Sequence, residues 1–290
     1  MRPLILALLG ACYQATPDSP ADEARPAFVP DTGLDTGSGP TPPPPLTASI
    51  ILTTPGTVGA IQADPTFCWL TGGSASGSLI VDILGLGSGQ IANLQTLPAI
   101  PGLGNVNAIF RERDKLVVTV DSSLGGRALV LDAPTGALLN DRPINPISLH
   151  TAGGSYVEEV SGVSGVKHYT SVSQVLAGTG TRRFPAGVTQ WGNGDVAFPA
   201  TWHSTDTVKL YDPTTLAFQR EVVTRGFNTW VVDVQLEGNR IYLLDDGRSG
   251  FSPSWVQLLW VFNATTGAHL RSIQLPAGSG YGAFVCRSAP

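Results

Sequence analysis

Apolar residues occur along this chain in short runs that end at turn residues. The clearest example is the stretch 114–144, where three such runs predict three strands. The first run, residues 115–120, is apolar at nearly every position, and the second, residues 127–131, is similar. A strand with one face in water would alternate apolar and polar residues. The pattern therefore predicts strands that have other sheets on both sides.

The turn between the second and third strands has a composition suited to reversing the chain. It reads Asp-Ala-Pro-Thr-Gly at residues 132–136. The proline presets its own φ, the aspartate caps its own backbone, and the glycine takes a positive φ at no steric cost. The strand-turn-strand unit is thus recognisable by sequence, and further copies of it can be sought along the chain.

Weaker copies of this unit fill the region 48–290. The residues that match Asp132 are Asp82, Asp212 and Asn263, at successive spacings of 50, 80 and 51 residues. The gap of 80 holds two units if a degenerate copy lies near Val172. A period of about 40 to 50 residues with four strands per unit is typical of β-propellers. We therefore predict an all-β fold, a β-propeller of four-stranded blades with about five visible repeats; a β-sandwich is the alternative.

The repeat resembles the YVTN-type unit of bacterial and archaeal surface propellers, in which a strand ending in Asp is followed by Thr-Gly. The matching positions are Val130-Leu131-Asp132 with Thr135-Gly136, Leu210-Tyr211-Asp212, and Val261-Phe262-Asn263 with Thr266-Gly267. The first unit departs from this pattern and has Gly-Leu-Gly-Ser-Gly at its turn. The resemblance implies the architecture and says almost nothing about activity.

The N-terminus has the features of a secretory signal. One positive charge precedes the apolar run 4–9, which is too short to span a bilayer. The run ends in Leu9-Gly10-Ala11-Cys12, which resembles the lipobox of bacterial lipoproteins. The resemblance implies a signal peptide over 1–11 and a lipidated Cys12; the alternative is an ordinary cleaved signal with an incidental cysteine. Tyr13 stands where an aspartate would indicate inner-membrane retention, which favours the outer membrane of the cell envelope.

Residues 12–47 form a predicted tether between this anchor and the folded domain, 48–290. Nine of the 23 prolines lie between Pro17 and Pro45, and large apolar residues are few. Such a segment cannot bury enough apolar surface to offset the entropy of ordering. We therefore expect an extended, Pro-rich spacer.

No group of residues in the folded region has the spacing of a catalytic or metal site. The four histidines, His150, His168, His203 and His269, lie apart from one another and from any cysteine. The Asp245-Asp246 pair suits either calcium or a capped turn, and the turn is favoured. The formal net charge is −5 and there is no basic stripe, so nucleic acid is not an expected partner. We expect no cofactor and no metal.

Two cysteines remain when Cys12 is assigned to the lipid. Cys68 lies in the first repeat and Cys286 lies close to the chain end. A propeller closes by pairing strands from its two termini, and an oxidising compartment favours a disulfide. We predict a Cys68–Cys286 disulfide; two buried free thiols are the alternative.

Aromatic residues near the longest loops are candidates for ligand binding. The expected irregular loops are 72–77, 201–206 and 247–254, each after the second strand of a unit and hence on one propeller face. The candidate binding residues in or beside them are Trp202, His203, Arg248, Phe251 and Trp255. The alternative is that these side chains cover the core. Trp69, Trp230 and Trp260 lie within apolar runs and are predicted to be core residues.

Three segments, 58–62, 106–110 and 187–190, are predicted to belong to the inner strands, and none contains Asp or Glu. An enzyme would place carboxylates from different blades in the central channel. We therefore favour an envelope-tethered, non-enzymatic binding or scaffold propeller, expected to be a monomer, with a protein or glycan ligand. The alternative is a propeller enzyme of the glycan hydrolase or lyase type.

Overall fold

A computed structural model describes residues 50–144, 149–152, 155–159, 166–183, 207–211, 218–223, 231–247 and 256–288. These ranges lie within one compact unit, residues 44–290. They contain twenty strands and two short helices. In this part of the chain, no helix is both long enough and apolar enough to cross a membrane.

The elements of the first half follow the sequence pattern closely. In chain order they are β1 Ile50–Leu52, β2 Thr54–Pro55, α1 Val58–Gln62, β3 Thr66–Gly73, β4 Ser78–Gly85, β5 Gln90–Ala99, β6 Leu103–Glu112, β7 Lys115–Ser122, β8 Arg127–Asp132, β9 Leu138–Pro143 and β10 Leu149–Ala152. The three strands predicted between residues 114 and 144 are β7, β8 and β9, so this prediction is confirmed.

The second half continues the same succession of short strands. Its elements are β11 Ser155–Glu159, β12 Val166–Tyr169, α2 Val172–Ala177, β13 Thr181–Arg183, β14 Thr207–Tyr211, β15 Phe218–Val223, β16 Val231–Glu237, β17 Arg240–Asp245, β18 Leu258–Asn263, β19 His269–Gln274 and β20 Tyr281–Ser288. The degenerate unit expected near Val172 exists, and α2 replaces the tight turn between its last two strands.

The described strands form five sheets, which we number as blades in chain order. The first is β20-β3-β4-β5-β2, the second β6 to β9, the third β10 to β13, the fourth β14-β15, and the fifth β16-β17-β18-β19-β1. Neighbouring strands are antiparallel, except that β1 and β2 join the outer edges of the fifth and first blades in parallel.

The inner strands of four blades close a ring around a common axis. Strand β20 contacts both β16 and β6, and β10 contacts both β6 and β16. The last strand of the chain thus completes the first blade, which joins the two ends of the described region. This radial arrangement of small sheets around an axis, closed by the last strand, defines a β-propeller. The predicted fold class is therefore confirmed.

Hydrophobic clusters lie between neighbouring blades rather than in one central core. Leu116 and Val118 pack toward the first blade, whereas Val117 packs with Tyr169 of the third blade. Another cluster joins the first and fifth blades. Burying one such aliphatic side chain contributes about 1.5–3 kcal/mol. The apolar runs predicted strands that are covered on both faces, and β7 confirms this prediction.

The repeat register is confirmed in the second and fifth blades and is wrong in the first. The Gly136 N–H donates to the Asp132 carbonyl at 2.7 Å, and Gly267 donates to Asn263 at 2.8 Å. The same bond in the first blade runs from Gly89 to Gly85 at 2.9 Å. Gly85 is therefore the equivalent of Asp132, and Asp82 lies three residues earlier, inside β4.

A distant carboxylate takes the place of the missing turn aspartate in the first blade. In the second blade Asp132 accepts from the Thr135 N–H at 3.0 Å. In the first blade Asp64 accepts from the N–H groups of Gly87 and Ser88, each at 2.9 Å. The unusual Gly-Leu-Gly-Ser-Gly turn thus keeps its cap, because Asp64 reaches it from the segment after α1.

Residues 58–62 are a helix and not an inner strand, which corrects the expectation. The Thr57 side chain caps the helix by accepting from the Ala60 N–H at 3.3 Å. The inner position of the first blade is occupied by β20. A second inner strand from this segment has no place in the blade.

Candidate functional site

A cavity of about 530 Å³ opens where the inner strands β6, β16 and β20 begin. Its lining is rich in glycine and amide groups and consists of Gly73, Gly104, Asn105, Val106, Asn107, Asp121, Val232, Gly280 and Gly282. We call it the axial cavity. Three blades contribute to it, so it exists only when the ring is closed.

The glycines of the axial cavity allow two inner strands to approach closely. A Cβ atom added at Gly282 would lie 2.7 Å from the Val106 carbonyl oxygen. A contact of that length requires the backbone to shift, so a side chain at this position would force β20 away from β6. The close approach also leaves backbone groups and the two asparagines as the main polar groups of the wall.

Side chains of β16 satisfy the free edge of β20. The Asp233 carboxylate accepts from the Phe284 N–H at 2.9 Å and from the Val234 N–H at 2.8 Å. Gln235 accepts from the Cys286 N–H at 2.6 Å and donates to its carbonyl at 3.1 Å. The fifth blade therefore holds the closing strand by side-chain bonds to its backbone.

Asp233 is an acid on an inner strand, which the sequence analysis did not expect. The segment 106–110 lies within the inner strand β6, which ends in a second acid, Glu112; 187–190 lies outside the described residues. Burial raises the pKa of Asp233 to about 7, although its two backbone donors act in the opposite direction. A carboxylate that loses its proton near neutral pH thus lies at the axis.

Cys68 and Cys286 form a disulfide, as predicted. They lie directly opposite each other on β3 and β20, with Cα atoms 3.9 Å apart. Since the N–H and C=O of Cys286 bond to Gln235, they point away from β3. Both cysteines are buried in the cluster between the first and fifth blades.

A second cavity, of about 370 Å³, lies on the opposite face, where the inner strands end. Its lining combines aromatic, apolar and arginine side chains: Gln62, Phe67, Trp69, Arg111, Arg113, Asp114, Ala133, Pro134 and Arg287. We call it the arginine cleft. The guanidinium of Arg111 lies 5.6 Å from the centre of the Trp69 ring, a cation–π geometry.

Sequence reasoning missed the arginine cleft. It assigned Trp69 to the core, and the side chain is indeed only 2% exposed, as Trp260 is 1% exposed. The available signal was the Arg-Glu-Arg sequence at 111–113, directly after an apolar strand. The sequence around 111–113 does not indicate that Arg287 is a neighbour, because these arginines come together only when the ring closes.

Asp245 caps a turn, as predicted, but its side chain is buried, whereas the sequence pattern predicted a solvated turn. Its carboxylate accepts from Gly247 N at 3.0 Å, from Leu258 N at 2.8 Å and from the Trp260 indole N–H at 2.9 Å. Burial raises its pKa to about 6. The donors occupy the oxygens that calcium would need, and the described residues contain no group of three metal-binding side chains.

Two of the four histidines have described side chains, and both have structural surroundings. His168 is buried in the third blade. His269 packs against the rings of Trp260 and Phe262, with centroids 5.5 Å away in each case. They lie in separate blades, and neither belongs to a group of three potential metal ligands among the described residues.

The predicted binding loops are only partly described. Residues 72–77 do not form a long irregular loop, because β3 and β4 are joined by a tight turn in which the Gly77 N–H donates to the Ser74 carbonyl at 2.9 Å. The candidates Trp202, His203, Arg248, Phe251 and Trp255, with Trp230 and Cys12, lie outside the described residues. Strand β17 nevertheless ends on the face that carries the axial cavity, since β16 begins there.

Comparisons with known proteins concern the fold. No family model and no curated protein matches the chain. One chain from a crystal structure of a nidogen/laminin complex is 10% identical to this chain. The match covers 76% of this chain and 98% of that chain, with a TM-score of 0.44. Moraxella catarrhalis BamB is 16% identical, and the match covers 69% of this chain and 58% of BamB with a TM-score of 0.26. Myxococcus xanthus glutaminyl cyclase is 12% identical, and the match covers 60% of this chain and 72% of the cyclase with a TM-score of 0.38. None of these values supports an inference about activity or partner.

Proposed function

We propose that this protein is a lipid-anchored, YVTN-type propeller of the bacterial cell envelope, and that it binds a ligand at the face of the axial cavity. The supporting observation is the lining of that cavity. Among the described residues, glycine backbone, two asparagines and one carboxylate offer hydrogen-bond donors and acceptors in a concave site, and such polar groups can fix the orientation of a bound ligand. The domain 48–290 would be held away from the membrane by the tether 12–47.

Binding is favoured over catalysis by the use of the acids near the axis. Among the described residues, Asp121 is the single carboxylate of the lining. Asp233 has a pKa near 7, a value that suits a general acid or base. Both of its oxygens, however, accept backbone N–H groups that fix β20 and β16. Its geometry therefore suits strand closure rather than proton transfer to a ligand.

Photocrosslinking tests the proposed face. A photoreactive residue at Asn105, in the axial cavity, is expected to produce a discrete adduct when the protein is illuminated in its native envelope. The matched control replaces Asn140, an exposed residue on the outer strand β9. We expect no adduct from position 140, because that edge faces away from the axis. An adduct from 140 alone, or from neither position, would contradict the proposal.

The lipid anchor is tested separately. Cys12→Ala is expected to move the protein from the membrane fraction to the soluble fraction and to abolish incorporation of labelled fatty acid, because acyl chains contribute about 0.8 kcal/mol per buried CH₂. Ser19→Ala, a change within the tether, should leave both readouts unchanged. Membrane association of the Cys12 variant at the wild-type level would show that the anchor assignment is wrong.

A further inference from the structure

We infer that the arginine cleft binds a ligand in which an apolar or aromatic group carries one carboxylate. This site is independent of the proposed axial binding, because it lies at the other end of the inner strands and shares no lining residue with the axial cavity. Five chain segments supply it: the end of α1, β3, the end of β6 with the turn that follows it, the turn after β8 and the end of β20.

The first line of support is positive charge without paired acids. Arg111, Arg113 and Arg287 line the cleft. Within the described residues the ion pair at salt-bridge distance is Arg127–Asp141, so none of the three has such a partner. Burial lowers the pKa of Arg111, and the nearby charge of Arg287 lowers it further. Like charges held together in a cleft favour an anionic ligand.

The acids near the arginines favour a ligand with a single negative charge. Asp114 lines the cleft, and Glu237, outside the lining, lies close enough to raise the pKa of Arg111. The three arginines and one aspartate of the lining carry a net charge of +2, and Glu237 reduces the positive charge around Arg111. These acids repel a carboxylate less than a phosphate monoester, which carries about −1.5 to −2 at neutral pH.

The second line of support is an unsatisfied donor. The Nε–H of Arg111 is buried and has no hydrogen-bond partner in the part of the chain that the structure describes. Buried donors are nearly always paired, and an unpaired one on a charged group is costly. A carboxylate that enters the cleft would compensate the charge of this guanidinium, and guanidinium groups bind carboxylates with paired hydrogen bonds.

The third line of support is the apolar wall. Phe67 and Trp69 meet edge to face with ring centroids 4.7 Å apart. The Trp69 indole N–H donates to the Ala133 carbonyl at 3.2 Å, which fixes the ring. At about 370 Å³ the cleft is near the small end of ligand pockets. It therefore suits one ring or one side chain, either in a free acid or at the C-terminal end of a peptide.

Calorimetric titration tests this assignment with three probes. The probes are N-acetyl-L-phenylalanine, its amide, and the peptide Gly-Gly-Ser-Phe with a free carboxylate. We expect the acid to bind and the amide to bind at least about tenfold more weakly, because only the carboxylate pairs with guanidinium groups. Binding of the peptide at comparable affinity would identify a chain end as the source, and binding of the small acid alone would identify a free acid.

Variants show whether the binding is at the cleft. Arg111→Gln and, separately, Arg287→Gln are expected to weaken binding of the acid by about tenfold or more. Arg142→Gln removes an arginine from the outer strand of the second blade and should bind like wild type. Equal binding of acid and amide, unchanged binding in both cleft variants, or no binding of either acid up to about 5 mM would overturn the inference. Each result leaves the crosslinking test of the axial face unaffected.

Discussion

Replacing Cys68 and Cys286 together by alanine is expected to lower the free energy of unfolding by roughly 2 to 5 kcal/mol. The bond joins β20 to β3 and closes a loop with a sequence separation of 218 residues. In the chain-entropy model, a loop of this length restricts the unfolded ensemble strongly, which gives roughly 5 kcal/mol at the upper end. The double variant lacks the covalent bond that holds β20, the strand that closes the ring, to β3.

Denaturant unfolding with and without reductant checks this expectation. Wild-type protein in reductant should unfold at a denaturant concentration close to that of the double variant. Reductant should have no effect on the variant itself, which separates the bond from the loss of two buried sulfur atoms. An unchanged wild-type midpoint in reductant would show that the disulfide contributes little. The ring should still form in the variant, because Asp233 and Gln235 also hold β20.

The stability of the wild-type protein is expected to fall, relative to Asp233→Asn, as the pH rises from about 4 to about 7. The pKa of Asp233 in the folded protein is about 7, above its ordinary value of 3.8. Between these values the folded protein holds a proton that the unfolded chain has released. Folding therefore becomes less favourable as the pH rises, by up to about 4 kcal/mol at 1.36 kcal/mol per pKa unit.

Unfolding free energies measured at several pH values provide the check. The difference between Asp233→Asn and wild type should grow through this window and then level off above about pH 7. Asp245, with a pKa near 6, contributes in the same direction, so Asp233→Asn/Asp245→Asn should flatten the profile further. Parallel profiles for wild type and the Asp233 variant from pH 4 to pH 8 would contradict the assignment.

Local sequence signals predicted the strands and turns that depend on neighbouring residues. The unit from 114 to 144 was correct because the continuous apolar runs and the turn Asp-Ala-Pro-Thr-Gly act within a few residues of each other. The Cys68–Cys286 pairing was also predictable, since ring closure has to bring the two ends of a propeller together. The same reasoning could not indicate which ligand the protein binds.

Two segments that resemble the repeat in sequence do not occupy the expected position, because a segment from elsewhere in the chain occupies it. Residues 58–61 resemble the inner strand at 106–109, yet they form a helix because β20 already occupies the inner position. Asp82 resembles Asp132, yet the turn lies three residues later and takes its carboxylate from Asp64. In both cases the competing contact comes from a different part of the chain.

The sequence by itself determined the strand pattern, the propeller class and the cysteine pair, because each depends on short-range patterns or on a count; the anchor stays a prediction. Only the tertiary structure decided the acid at the axis and the arginine cleft. Asp233 has a raised pKa because ring closure buries it against β20. Arg111 and Arg287 share a cleft because β6 and β20 run side by side around the axis, although 176 residues separate them along the chain.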